Sequence, residues 1–117
     1  MSKAATSIAV FGIYLIVIGL GFLVVPNMPL GLFGMAETGQ PYIRIVGMLL
    51  LILAYYYIQV ARSELTPFFR WSVYARASVI LFFIAFVLLD LAEPVLIVFG
   101  VADLAAAVWT YLALRST

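Results

Sequence analysis

The stretch that decides the fold is the first apolar run, Ala4–Val25, AATSIAVFGIYLIVIGLGFLVV. It contains no charged residue. At about 1.5 Å of rise per residue, a helix of this length crosses the roughly 30 Å hydrocarbon layer of a bilayer. Lys3 stands before it, as a basic residue does in a signal peptide. The run is longer than such a peptide's apolar core, and no small-x-small cleavage site closes it. It is therefore expected to be a retained first span, about residues 5–25, stopped by Pro26 and Pro29 because proline does not continue a helix.

Three further runs follow the same logic. They are expected to span about residues 42–61, 72–91 and 94–114. Pro41 suits the first turn of the second, where its missing N–H does no harm. Arg62, Ser63 and Glu64 end that span, and Ala92-Glu93-Pro94 reads as a tight turn. Of 117 residues, 68% are hydrophobic and 9% are charged, against about 25% charged in a soluble domain. A small water-soluble domain cannot hide that much apolar side chain, and no span has the polar face a soluble helix needs. The expected fold class is all-α: an integral membrane four-helix bundle forming one domain over residues 1–117.

Charge sets the expected orientation. Lys3, Arg62, Arg70, Arg76 and Arg115 fall at one side of the layout, whereas Glu37, Asp90 and Glu93 fall at the other. The positive-inside rule makes the basic side cytoplasmic, with both termini on it. Only Arg44 breaks the pattern. The net charge of +1 offers no basic field for nucleic acid. There is no cysteine and no histidine, which removes disulfides, thiol redox chemistry, imidazole-held haem or iron and the usual zinc sites. No nucleophile has a histidine base, and no glycine-rich phosphate loop is present. The expectation is a non-enzymatic protein without a cofactor.

Two links stand out. The first, residues 26–41, is long and apolar, with Met28, Leu30, Leu32, Phe33 and Met35, and is expected to lie in the outer interface or to fold back over the bundle. The second carries Pro67-Phe68-Phe69-Arg70-Trp71-Ser72-Val73-Tyr74. Aromatics beside arginine mark an interfacial belt, or alternatively a lipid-headgroup site.

Inside the spans, small residues share faces. Ala5, Ala9, Gly12 and Gly19 form one, and Gly100, Asp103, Ala107 and Thr110 the other. Such faces let helices approach closely where no hydrophobic force drives them together. They are expected inside the bundle or at a protomer interface. Asp103 is the most informative residue. It lies about nine residues into the fourth span, roughly 13 Å from its outer end, close to mid-membrane. An ionised acid there costs about 2.5–3.5 kcal/mol, so it must face the interior, find a partner or stay protonated. The candidate intramembrane polar site is Asp103, Arg44, Arg76 and Tyr55. Arg44 is expected to pair at the outer rim with Asp90, Glu93 or Glu37, and Asp103 to meet a tyrosine or water. Of Tyr55, Tyr56 and Tyr57, at least one is expected to point inward.

Tyr42-Ile43-Arg44-Ile45-Val46-Gly47-Met48-Leu49-Leu50, after its proline-rich apolar link, together with Phe99-Gly100-Val101-Ala102-Asp103-Leu104, resembles the small four-span bacterial membrane proteins of the DoxX-like kind. The resemblance implies a four-helix bundle in a bacterial inner membrane and no particular activity. Among the residues it covers, Arg44 and Asp103 are the polar ones to note. The functional expectation is an accessory or interaction module, in contact with membrane lipids, that self-associates or joins a larger membrane complex. The alternatives are a proton-coupled or small-solute transporter or channel using Asp103, and a lipid-binding protein.

Overall fold

The computed structural model describes residues 1–32 and 42–116. It is all-helical, with five helices among those residues: α1 Lys3–Val24, the short α2 Asn27–Leu32, α3 Tyr42–Arg62, α4 Thr66–Leu88 and α5 Leu96–Arg115. The four long helices are each long and apolar enough to cross a membrane. The section of the first link from 33 to 41, including Glu37 and Pro41, lies outside the described residues.

The ends of the helices follow from local chemistry. Ser2 caps α1, its hydroxyl accepting from the Ala5 N–H at 3.0 Å. At the other end, Val25 N–H donates back to Gly21 O before Pro26 stops the helix. α4 begins at Thr66 rather than near Ser72 as expected, because Pro67 occupies the first turn, where its missing donor is harmless. The aromatic segment 67–74 is thus helix, not link.

α3 and α4 both end in the same motif. Leu65 N–H bonds Val60 O while Glu64 N–H bonds Ala61 O, and Leu91 N–H bonds Phe86 O while Asp90 N–H bonds Val87 O. These paired bonds need a left-handed residue at the turn. Glycine is usual there, but this chain uses Glu64 (φ 51°) and Asp90 (φ 62°). Asp90 is therefore a turn residue. It is not the rim partner expected for Arg44.

Glu64 also clasps the other end of its hairpin. Its carboxylate accepts the Ser2 N–H, at 2.9 Å to Oε2. Hydrogen bonding by Ser2 holds this carboxyl below its ordinary value, outweighing slight desolvation. A carboxyl with a lowered folded pKa contributes stability in full above its unfolded value near 4.5 and loses it as pH falls through the folded value. The melting temperature of the wild type should therefore fall more than that of Glu64→Gln between neutral pH and pH about 3.5. Parallel falls in the two proteins would show that the clasp contributes nothing.

The long helices stand in the order α3, α1, α5, α4. α1 packs on α3 and α5, α5 packs on α4, and α1 touches α4 only slightly. α3 and α4, at the two ends of the row, share no extensive contact. The result is 44 × 30 × 18 Å, a slab rather than a closed cylinder. The small-residue faces make its tight crossings. A Cβ on Gly19 would lie 3.0 Å from Gly47 O, and one on Gly100 3.0 Å from Ile80 Cα. Gly12 faces Ile58, and Ala107 is buried within the bundle.

Candidate functional site: a caged arginine behind an apolar cleft

The buried core lies at the end of the bundle that carries both termini. Here Ala4, Ile8 and Phe11 of α1 meet Ala54, Tyr57 and Ala61 of α3, with Phe69 of α4. Arg76 enters this core and is 3% exposed. Because α4 starts at Thr66, Arg76 stands about ten residues into its helix, roughly 15 Å from its start. That is far deeper than the near-terminal place expected from the sequence.

The guanidinium is held from two helices. Nε donates to Ser72 O at 3.2 Å, and Nη2 donates to Ser72 Oγ at 3.0 Å and to Thr110 Oγ1 at 2.9 Å. Ser72 passes its own proton to Phe69 O at 2.8 Å. Thr110 Oγ1 lies 2.7 Å from Ser7 Oγ, and Ser7 donates to Ala4 O at 2.6 Å. A hydroxyl has one proton. Ser7 spends its proton on Ala4, so Thr110 must donate to Ser7 while accepting from Arg76. Every hydroxyl dipole is thus oriented away from the cation, and the chain ties α1, α4 and α5 together. Phe11 and Tyr57 cover the guanidinium at 4.9 and 5.9 Å from their ring centroids. Nη1 is buried with no hydrogen-bond partner among the described residues. An unmet donor on a buried cation is costly, which marks the group as more than a packing element.

Beyond the cage, toward the other end of the bundle, a cleft of about 340 Å³ opens between the α1/α3 and α4/α5 pairs. Tyr14 and Phe22 of α1, Val46 and Leu50 of α3, Phe83 of α4 and Phe99 of α5 line it. Among the described residues, Asp103 is the single charged group in its lining. It stands two turns along α5 from Thr110, about 10 Å. The hydrogen bonds of Arg76 go to Ser72 and Thr110, and none reaches Asp103. The arrangement is an acid on the wall of an apolar chamber with a fixed cation behind it. It can accept a hydrogen bond from, or give a countercharge to, the polar end of an otherwise apolar molecule.

The remaining expected site residues lie elsewhere. Arg44 donates from Nη1 to Leu23 O and Val24 O. These are the last carbonyls of α1, where a cation meets the negative end of the helix. Glu37, one of the three acids expected to pair with Arg44, lies outside the described residues. Tyr55 is 61% exposed and faces away from the site. Tyr57 is the inward tyrosine, packed edge-on against Phe68 at 5.3 Å. Ser7, Ser72 and Thr110 complete the cage, although the sequence marked Thr110 only as part of a smooth face. Their signal was a small hydroxyl on an otherwise apolar helix surface. No three acids come together to hold a metal among the described residues. Comparison of the chain with family models, curated proteins and solved structures found no match.

Proposed function

We propose that the chain is a small, non-enzymatic integral membrane protein, crossing a bacterial inner membrane four times with both termini cytoplasmic. Its working part is the cleft, which takes up a membrane-dissolved molecule with a long apolar body and one polar end. The observation that carries this reading is the chamber itself. Its volume falls in the range of ligand pockets, its walls are aromatic and aliphatic, and among the described residues one acid, Asp103, is placed on them to orient a guest. The two smooth helix faces are spent on contacts within the protomer. They are therefore not free to drive self-association, which favours a lipid-binding role over an accessory subunit.

The test is to purify the chain from its membrane in mild detergent and identify the lipids that stay with it. One amphiphile class should be enriched over the bulk membrane. Ile18→Trp, which fills the cleft, should abolish the enrichment. Asp103→Leu should weaken it about tenfold, as loss of one charge-assisted hydrogen bond does. A lipid profile identical to the bulk membrane would refute the reading. Since the chain has no cysteine, single cysteines at Ser2 and Ser116 would report the orientation separately, and both should label from the cytoplasmic side.

A further inference from the structure

α4 and α5 carry a second feature at the end of the bundle with the termini, lined by none of the cleft residues. Arg70 and Tyr74 are one turn apart on α4. Tyr111 and Arg115 are one turn apart on the antiparallel α5. The four meet around a groove of about 290 Å³, completed by Val73 and Leu114. The Arg115 guanidinium lies over the Tyr111 ring, 5.8 Å from its centroid. Among the described residues, no carboxylate lines the groove. The acid nearest in sequence, Glu64, is engaged by Ser2.

The groove has a direction. Both arginines sit on the side toward the termini, Arg70 near the start of α4 and Arg115 in the last turn of α5. The tyrosines lie one turn further into the bundle, about 6 Å away. Tyr74 and Trp71 beside the groove are 76% and 68% exposed, as aromatics at a membrane–water boundary are. The aliphatic Val73 and Leu114 stand between the two levels, so the groove runs from cations outside to aliphatic carbon and phenol rings inside, the polarity of a phospholipid's phosphate and the carbon below it. Two guanidiniums suit a phosphate because each offers paired N–H donors to its oxygens.

We propose that this groove binds the phosphate of an anionic phospholipid of the cytoplasmic leaflet. The proposal rests on the membrane reading above, because the groove faces that leaflet only if the termini are cytoplasmic.

The full chain would be placed in nanodiscs of phosphatidylcholine with a minor fraction of phosphatidylglycerol, and the lipid retained per protein counted by native mass spectrometry. The wild type should retain phosphatidylglycerol preferentially. Arg70→Gln or Arg115→Gln should weaken retention about fivefold, and the pair together roughly thirtyfold. The double lysine variant should fall between, since it keeps charge and loses the paired donors. Arg62→Gln, exposed at the same end but outside the groove, should change nothing. Equal retention of the two lipids, or an Arg62 effect as large as that of the double glutamine variant, would overturn the proposal. So would displacement of the lipid by inorganic phosphate alone, which would make the site one for the free ion. Alkaline washing of membranes that contain the chain separates the two levels. A chain that washes off defeats the membrane reading together with this site, whereas a chain that stays but shows no lipid preference defeats the site alone.

Discussion

Thr110→Val is expected to destabilise the folded chain by about 2–4 kcal/mol, while Arg76→Met costs little or even stabilises it. The asymmetry follows from the direction of the hydrogen bonds. Valine keeps the shape of threonine and removes its hydroxyl. Nη2 then loses an acceptor in a group that is 3% exposed and already has one unmet nitrogen. Ser7 also loses the proton it accepts. Replacing Arg76 strands no donor, because Ser72 still gives its proton to Phe69 O and Ser7 still gives its own to Ala4 O. Methionine fills the arginine stem's path and lays a polarisable sulfur near Phe11 and Tyr57. In the double variant the cost of Thr110→Val should shrink to about 1 kcal/mol, the worth of the Ser7 contact alone. Equilibrium unfolding in detergent micelles measures all three. If Arg76→Met proves as damaging as Thr110→Val, the cation is a structural anchor and the donor assignment is wrong. If it is tolerated, the chain carries a buried charge its fold does not need, and ligand retention in the cleft is where its loss should appear.

How much of this was legible beforehand depends on the kind of signal. Span number and approximate position follow from hydropathy, because an unbroken apolar run has few other uses. Asp103 stood out because an acid in such a run is expensive wherever it points. Arg76 was harder to place. Pro67 and the aromatics after it look like a link, and reading them so moves the helix start past Arg70 and leaves Arg76 near an end. Only the knowledge that Pro67 opens the helix puts the arginine deep. Its partners were harder still, since Ser7, Ser72 and Thr110 come from three helices and no spacing within one helix connects them. Arg44 has partners the sequence did not suggest. An arginine's obvious partner is an acid, but the end of α1 also offers it carbonyls. The helix order could not be read either, because it depends on which smooth face meets which, and two glycine-lined faces look alike in sequence.

Gly47→Ala should lower stability by about 2 kcal/mol, and Gly47→Leu should prevent the α1–α3 pair from forming. Gly47 belongs to neither small-residue stripe, yet it makes the tightest crossing among the described glycines. A Cβ there would sit 2.7 Å from Gly19 O and 2.7 Å from Leu23 N. Both are backbone atoms of α1, so no side chain can swing aside and the helices themselves must separate. That cost has to exceed the roughly 1 kcal/mol that alanine gains over glycine within a helix. Gly12→Ala is the matched control. Its new Cβ would meet the Ile58 side chain at 3.1 Å, and a flexible isoleucine can yield, so the net change should stay within about 1 kcal/mol. The crossing also shapes the cleft. Gly47 lies between Val46 and Leu50, which line it, and one turn from Arg44, which holds the end of α1. Forcing α3 away from α1 therefore spreads the chamber wall and pulls Arg44 from its carbonyls. Ligand retention should then fall in Gly47→Ala and stay normal in Gly12→Ala, at a temperature where both remain folded. Equal loss in the two variants would mean that the cleft does not depend on this crossing. No loss of stability in Gly47→Ala would mean that the helices do not meet as closely as the glycine pair implies.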